Sequence, residues 1–392
     1  MIRRHAPSWS GLAFLSGLFA LQCGLEGLGD GVRPSSPEGG AEAGAEVGDG
    51  HASPPDAGVP PADSSASPAD AAHQTSDGSR PDDAFIVGLS EPDQLTMAAG
   101  FLYFTTGRDY EGAVRRCPIQ GCQGEPEIIA SGQTEPRGLT VTQTVIVGWV
   151  NRGAGQVMLA SRGPGAASWE SHALATEQSI PAGMAISAMD DAVWTNYGSQ
   201  PDTAAVARRT GRQAPIIALS REKSYAGPIL LSGEGKDVVW GHGNGLAETT
   251  LDADGHAPCN FVHSTAPVTN LASGMNEPLQ LFWSTLDGFV LMANRPRAAD
   301  ALQHCKEIPP SEITSVVKGQ GSIASFAVDP LYVYFSATEG GKGSLRRMRI
   351  LGGEVEVLLD DLDDPRGVVV DGPDVYVAVR GDGTIRRIHL YI

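Results

Sequence analysis

Large apolar residues recur along the chain inside short strand-like runs. Runs such as FLYFTT, VIVGWV, DAVWTN and VYVYFS are each followed by a stretch that contains glycine. The central residues of the seven runs are Phe104, Trp149, Trp194, Trp240, Trp283, Phe335 and Val377. Successive members of this series lie 42 to 52 residues apart, and a period of this length indicates a repeat architecture.

Two further signals keep the same phase. About 17 residues after the large residue, a turn separates two strand-like runs, as in VRRCPIQGCQ, VARRTGRQA and LRRMRILGGEV. Ahead of the large residue come EPRGLTV, PAGMAIS and DPRGVVV. Each unit therefore reads as four strands joined by turns, which predicts one blade of a β-propeller. Packing between twisted blades requires bulky residues at one phase, so we expect the aromatic residues in the core rather than on a stacking surface.

These units predict an all-β fold, a single β-propeller over residues 84–392 with seven four-stranded blades. Blade starts fall near residues 91, 135, 181, 226, 269, 322 and 364. The last unit reaches Ile392 after only three strands, and the apolar run Ala84–Gly88 can supply the fourth. Pairing of the N- and C-terminal strands would close the ring and remove its open edge. Counts of six or eight blades stay open, because the unit after Trp283 is longer than the others.

The final unit resembles the propeller repeats of the NHL and YVTN type, within the TolB-like group. In DPRGVVVDGPDVYVAVRGDGTIRRIHL the matching positions are Pro365, Gly367, Asp371, Tyr376, Gly381, Ile385 and Arg387. This resemblance implies a propeller of six or seven blades. The whole chain is also similar to bacterial cell-envelope lipoproteins that join a tether rich in Pro, Ala and Ser to a propeller.

Residues 1–22 have the layout of an export signal. Arg3 and Arg4 precede a short apolar stretch from Trp9 to Gln22. A membrane-spanning helix needs about 20 apolar residues, so we expect a signal peptide that is cleaved. Cys23 follows directly and resembles the lipidated cysteine of a lipobox, which predicts a lipid anchor in a membrane of the bacterial cell envelope. The alternative is an ordinary signal peptide and a secreted protein without lipid on Cys23.

Composition and charge change abruptly after the export signal. Residues 23–83 are rich in Ala, Gly, Pro, Ser and Asp, which predicts a disordered tether. Residues 24–84 hold 12 acidic and 2 basic residues, a net of 2 − 12 = −10 out of −18 for the chain. Because the chain is acidic and has no local basic cluster, nucleic acid is not expected as a partner.

Five cysteines divide evenly if Cys23 carries lipid and the other four form two disulfides. Cys117 and Cys122 flank a hairpin turn, where they can reach disulfide distance. Cys259 and Cys305 lie in successive units and are the second predicted pair. The alternative for this pair is a zinc site with donors from two loops. Its donors would be His256, Cys259, His263, His304 and Cys305.

Catalytic motifs are missing from the sequence. We find no nucleophile elbow, phosphate-binding loop, zinc-protease motif or dinucleotide fingerprint. His242 follows a tryptophan run in a glycine-rich stretch and is expected to be a surface-loop histidine rather than a catalytic base. Asp252–Gly255 resembles the start of a calcium loop but is expected to be a simple turn. We therefore predict no catalytic residue, no metal site and no cofactor.

Two Pro-Arg-Gly turns provide the candidate ligand-binding residues Glu135, Arg137, Asp364 and Arg366. Turns that lead into the innermost strands of a propeller form one rim of its channel, where a ligand could bind. Ion pairs within each turn are the alternative interpretation.

Taken alone, the sequence favours a non-catalytic binding scaffold whose partner is a protein or a glycan of the cell envelope. A metal-dependent hydrolytic enzyme of the lactonase-like kind, with a divalent metal in the channel, is the alternative. A redox or lyase propeller is a third interpretation, because propellers host both binding and catalysis.

Overall fold

The computed structural model describes residues 84–187, 191–198, 205–211, 213–220, 226–232, 236–243, 245–251, 258–274, 279–295 and 306–391. The predicted export signal, Cys23 and the predicted tether lie outside these residues. No helix in the described part of the chain is long and apolar enough to cross a bilayer.

Seven four-stranded antiparallel sheets form the blades of a closed ring, which confirms the predicted seven-bladed propeller. The innermost strands are β2 (Leu95–Ala98), β6 (Pro136–Val141), β10 (Pro181–Ile186), β14 (Ile229–Ser232), β18 (Val268–Ser273), β22 (Ser322–Val328) and β26 (Pro365–Asp371). The second strands are β3 (Phe101–Thr106), β7 (Val147–Asn151), β11 (Asp191–Asn196), β15 (Asp237–His242), β19 (Leu279–Thr285), β23 (Tyr332–Glu339) and β27 (Asp374–Val379).

The outer half of each blade continues the same meander. The third strands are β4 (Gly112–Pro118), β8 (Gln156–Ser161), β12 (Val206–Thr210), β16 (Gly245–Thr250), β20 (Val290–Arg295), β24 (Lys342–Arg349) and β28 (Thr384–His389). The outermost strands are β5 (Glu127–Gln133), β9 (Glu170–Ala175), β13 (Ile217–Ser220), β17 (Cys259–His263), β21 (Thr314–Val317), β25 (Glu356–Leu362) and β1 (Ala84–Ile86). Blades are numbered 1 to 7 from β2, so blade 7 combines β26, β27 and β28 with β1.

Ring closure occurs as the sequence predicts. β1 pairs antiparallel with β28, with Ala84 opposite Arg386 and Ile86 opposite Ile385. The predicted disulfide between Cys117 and Cys122 is present, with its Cα atoms 5.3 Å apart. Both cysteines belong to the apolar cluster that contains Ile86 and Ile385, so the disulfide of blade 1 packs on the closing strands of blade 7.

The repeated large residues are buried in the core on the second strands, as predicted. Phe104, Trp149, Trp194, Trp240, Trp283, Phe335 and Val377 are each at most 2% exposed. A buried indole still needs a partner for its N–H group. In blades 2 and 3 that partner is a glutamine on the approach to the blade: Trp149 Nε1 donates to Gln133 Oε1 at 2.9 Å, and Trp194 Nε1 donates to Gln178 Oε1 at 2.8 Å.

Neighbouring blades are joined by hydrogen bonds at the starts of their innermost strands. The Thr195 hydroxyl donates to the carbonyl oxygen of Gly227 at 2.5 Å, and the Ser336 hydroxyl donates to that of Arg366 at 2.7 Å. The Gly367 amide donates to the Asp93 carbonyl oxygen at 2.8 Å. A Cβ on Gly367 would lie 2.6 Å from that oxygen, so this approach of blade 7 to blade 1 requires glycine.

The meander places two sets of loops on one face of the propeller, here called the mouth face. These are the connections from an outermost strand to the next innermost strand and the loops between second and third strands. Since β1 is an outermost strand that leads into such a connection, the chain enters β1 from the opposite face.

Candidate functional site

Three successive blades carry a charged residue at one register of the inner strand. In each blade, one residue of the innermost strand lies opposite the large residue of the second strand. Asp93, Arg137 and Arg366 each lie two positions before that residue. The other four blades carry Ala182, Gly227, Thr269 and Ala324 at this register. At this register, charge is therefore confined to blades 7, 1 and 2.

A backbone irregularity accompanies this position. The pairing between the first and second strands shifts register here in β6, β10, β18, β22 and β26. A β-bulge leaves one residue unpaired and re-aims its side chain, and such bulges are common beside binding sites. The irregularity at the start of β6 and β26 thus explains how Arg137 and Arg366 depart from the regular alternation of the strand.

An ion pair joins two of these residues across a blade boundary. Arg137 Nη1 lies 3.1 Å from Asp93 Oδ2, and both side chains are less than 15% exposed. In the other predicted turn, Arg366 Nε lies 2.8 Å from Asp364 Oδ1, and Arg380 also pairs with Asp364. The ion pair within the second Pro-Arg-Gly turn agrees with the alternative interpretation of these turns, whereas Arg137 pairs with Asp93 of the neighbouring blade.

A second tier of charge surrounds the first. In each of blades 7, 1 and 2, an acid just before the inner strand accompanies an arginine from the loop between the second and third strands. These combinations are Asp364 with Arg380, Glu91 with Arg108, and Glu135 with Arg152. Together with Asp93, Arg137 and Arg366, these six residues are called the charged sector. It contains five arginines and four acids, a net of 5 − 4 = +1 in a chain of −18.

The acids of the second tier have an unusual backbone conformation. Glu91, Glu135 and Asp364 have φ values of 45°, 50° and 56°, and each precedes a proline. Non-glycine residues rarely adopt this left-handed region. Ile180, at the same register of blade 3, has φ of 52°. This repeated turn fixes the point from which each side chain leaves the backbone at the mouth.

Burial and neighbouring charges shift two pKa values in the sector. Burial raises the pKa of the Asp364 carboxyl, and the nearby Asp93 acts in the same direction, while Arg366 and Arg108 oppose the rise. Burial lowers the pKa of Arg152, and Arg137 lowers it further, while Glu135 and Tyr197 oppose the change. A raised carboxyl pKa within a set of guanidinium groups is a feature of functional sites as well as of structural ion-pair networks.

His242, which the sequence places on a surface loop, has a different position in the structure. His242 is only 6% exposed and belongs to β15, so the expectation of a surface-loop histidine is wrong. Burial lowers its pKa, although a hydrogen bond with Asn260 opposes this. β15 and β16 pair as far as His242 and Gly245, so the turn begins only after His242.

The second cysteine pair is only partly described. Cys259 takes part in a disulfide, whereas its predicted partner Cys305 lies outside the described residues, so the pairing stays a prediction. The same holds for the zinc alternative, since His256 and His304 are outside as well, and for the turn at 252–255. Within the described ranges, no three His, Cys, Asp or Glu side chains are grouped closely enough to hold a metal ion.

Sequence reasoning missed five members of the charged sector, all of which lie outside the two Pro-Arg-Gly turns. The missed residues are Glu91, Asp93, Arg108, Arg152 and Arg380. A signal for two of them was present, because EPDQL at 91–95 aligns with EPRGL at 135–139 and DPRGV at 364–368. That alignment places Asp93 at the register of Arg137 and Arg366. The loop arginines have no comparable motif.

No protein-family model matches the chain, and no curated protein matches it. Solved structures with a similar fold include virginiamycin B lyase from Staphylococcus aureus, at 14% identity and a TM-score of 0.58, covering 77% of this chain and 96% of that one. A streptogramin B lyase matches at 13% identity and a TM-score of 0.57, over 79% and 96% of the two chains. The Swd1 β-propeller domain from Myceliophteria thermophila matches at 10% identity and a TM-score of 0.59, over 78% and 98%. At such identities the likeness shows the fold alone.

Proposed function

We propose that this protein is an exported propeller, anchored to a cell-envelope membrane through lipid on Cys23, that binds a glycan at the charged sector without transforming it. The observation that carries the proposal is that, at the inner-strand register of Asp93, Arg137 and Arg366, charge is restricted to three adjacent blades. A purely structural ring of ion pairs has no need to omit the other four blades.

Alternation of acids and arginines favours a glycan among envelope ligands. Carboxylates only accept hydrogen bonds and guanidinium groups only donate them. A ligand that satisfies both must offer donors and acceptors side by side, which sugar hydroxyl groups do. Tyr110 adds an aromatic ring in the loop that contains Arg108 and is 80% exposed, so it can pack against the apolar face of a sugar ring.

The point at which the chain enters the propeller supports a membrane-anchored role. Because the chain enters β1 from the face opposite the mouth, an anchor that precedes Ala84 leaves the mouth face free for a ligand. The resemblance to NHL-type envelope lipoproteins points to the same location. Replacement of Cys23 by Ala should release the protein from membranes into the soluble fraction, and unchanged membrane partitioning would remove the lipid anchor from the proposal.

Binding to a panel of neutral and acidic oligosaccharides tests the ligand class. We expect Arg137→Gln and Arg366→Gln to weaken binding of the best oligosaccharide about tenfold or more, since each removes charge-assisted hydrogen bonds. Arg347→Gln is the matched control, because Arg347 is similarly buried and pairs with Glu356 on the outer strands. Equal loss in all three variants, or binding only of an envelope protein, would contradict the glycan proposal.

An enzyme is the second candidate, and the raised pKa of Asp364 is the observation that favours it. A carboxyl that keeps its proton to higher pH beside guanidinium groups can act as a general acid or base. Two solved structures of similar fold are lyases by name, so the fold accommodates catalysis. Turnover of a lactone or another ester that is lost in Asp364→Asn or with EDTA would establish this reading in place of simple binding.

A further inference from the structure

A pocket opens on the mouth face between blades 2 and 3. Its volume is about 390 Å³, within the range of small-molecule sites. One side is the loop 152–155, between the second and third strands of blade 2, and the other is the connection 177–180, which leads into blade 3. Because Arg152 also belongs to the charged sector, the pocket continues that sector at its blade 2 end.

The charges around the pocket are balanced. Its lining contains one base and one acid, Arg152 and Glu177. Arg152 is partly buried, and the nearby Glu135 carboxylate stabilises its positive charge. Glu177 is exposed at the rim, where its carboxylate can accept hydrogen bonds and repels an anion. This arrangement favours a neutral ligand that donates hydrogen bonds.

Most of the lining between the two charges is polar. Ser179 provides a hydroxyl group, which can both donate and accept a hydrogen bond. Ile180 is the one large apolar side chain of the lining, and it is 42% exposed. A sugar unit has hydroxyl groups around its edge and C–H groups on its faces. It therefore matches a pocket that is polar except for one apolar side chain.

Hydrogen bonds and close packing hold the two sides of the pocket together. The Gln178 amide donates to the Gly155 carbonyl oxygen at 2.8 Å. A Cβ on Gly155 would lie 2.5 Å from the Gln178 carbonyl oxygen, so this approach requires glycine. The Gln178 side chain is fixed as well, because Trp194 Nε1 and Asn196 Nδ2 both donate to its Oε1. A preorganised pocket of this kind binds a ligand at a lower cost in conformational entropy.

We propose that this pocket is a subsite of the glycan site and holds one neutral sugar unit. Hydroxyl groups of the unit donate to the Glu177 carboxylate and exchange hydrogen bonds with Ser179, and its C–H face lies on Ile180. A uronate or a phosphorylated unit is disfavoured, because its negative charge would lie against Glu177. The assignment rests on the proposed glycan binding and adds the kind of unit that the site selects.

Calorimetric titration of the full chain with cellotetraose, chitotetraose and tetragalacturonate tests the subsite. At least one neutral tetrasaccharide should bind more tightly than tetragalacturonate. Ala154→Trp fills the pocket from an exposed loop position and should weaken binding of that tetrasaccharide about tenfold or more. Glu177→Gln removes the anionic acceptor, so it should lower the preference for the neutral tetrasaccharide over tetragalacturonate about tenfold.

Two matched controls lie on blade 2 away from the pocket. Ala167→Trp adds the same bulk to an exposed turn of the opposite face, and Glu170→Gln removes the same charge at the exposed start of β9. Both variants should bind each tetrasaccharide as the wild type does. Glu177→Gln hardly changes the size of the side chain, so it keeps the test decisive even if Ala154→Trp lowers stability.

Failure of the subsite differs from failure of the proposed function. If Arg366→Gln weakens binding of the neutral tetrasaccharide whereas Ala154→Trp and Glu177→Gln bind it as the wild type does, the subsite alone is overturned. A preference for tetragalacturonate that Glu177→Gln leaves unchanged would overturn the selection of a neutral unit. If no tetrasaccharide binds the wild type at millimolar concentration, the glycan proposal is overturned and the subsite with it.

Discussion

The hydroxyl of Ser336 in blade 6 donates a hydrogen bond of 2.7 Å to the carbonyl oxygen of Arg366 in blade 7. The same hydroxyl accepts a hydrogen bond from the Ser325 amide at 3.1 Å. One buried side chain thus fixes the backbone that carries a mouth arginine. The interaction ties the geometry of the candidate site to the packing of a blade that contributes no charge to it.

Ser336→Ala should lower the free energy of unfolding by about 1–3 kcal/mol, because it leaves buried polar groups without a partner. Urea denaturation of the two proteins measures the difference. Thr144→Ala, on an exposed turn, is the control and should change stability by less than about 0.5 kcal/mol. An equal loss of stability in both variants would show that the hydrogen bond between Ser336 and Arg366 makes no specific contribution.

Arg295→Met should be strongly destabilising. Arg295 in blade 5 pairs with Glu248 and Asp237 in blade 4, and the Glu248 side chain is only 4% exposed. Loss of one member of a buried pair leaves the other charge uncompensated, which costs about 3–5 kcal/mol. The double variant Arg295→Met, Glu248→Met should recover much of this loss, as measured by urea denaturation. A double variant less stable than Arg295→Met would contradict the argument.

Replacing Cys117 and Cys122 together by Ser should lower stability by about 2 kcal/mol, because the disulfide closes a short loop in the unfolded chain. Since this disulfide packs on the closing strands, the variant should also exchange the amides of β1 and β28 faster than the wild type. Hydrogen exchange followed by mass spectrometry measures that difference. An unchanged rate of amide exchange in β1 would show that the disulfide does not stabilise the pairing that closes the ring.

Asp364 should make stability fall as the pH rises. Because burial raises its folded-state pKa, the folded protein holds this proton to higher pH than the unfolded chain does. Its contribution is fully present below the unfolded pKa of about 3.9 and is lost as the pH rises through the folded value. The stability of the wild type relative to Asp364→Asn should therefore decrease between acidic and neutral pH, as urea denaturation at a series of pH values can show.

Asp374 provides a control of opposite sign. Burial alone would raise its pKa, but hydrogen bonds from Arg387 and His389 hold the pKa below its ordinary value. The stability of the wild type relative to Asp374→Asn should therefore increase as the pH rises from below the folded-state pKa to the unfolded value of about 3.9, a range below the one in which Asp364 acts. Slopes of the same sign for the two variants would contradict the assignment of either group.

Much of the fold follows from the sequence because each blade repeats the same physical requirement. A large residue such as Trp194 must fill the space between twisted sheets in every repeat, so its spacing reveals the blade number. Closure by Ala84–Ile86 follows from the missing fourth strand of the last unit. The predicted location of His242 was wrong, because a glycine-rich stretch can pair as a strand when the neighbouring strand continues beside it.

The site could be predicted only where a motif repeats. Arg137 and Arg366 share a Pro-Arg-Gly turn, and Asp93 shares its register but not its chemistry. Arg152 and Arg380 come from loops of differing sequence that the ring brings to the mouth, so only the three-dimensional structure places them beside Glu135 and Asp364. Partners across a blade boundary, such as Asp93 for Arg137, depend on the packing of adjacent sheets.

Hydrogen exchange of the full chain, with and without the oligosaccharide that binds most tightly, tests the central claim most directly. Binding at the charged sector should protect amides in the mouth loops of blades 7, 1 and 2, around residues 91–93, 107–111, 134–137, 363–366 and 380–382. The mouth loops of blades 4 to 6 and the turns of the opposite face should exchange at unchanged rates. Protection confined to those other blades or to the opposite face would contradict the charged sector as the ligand site.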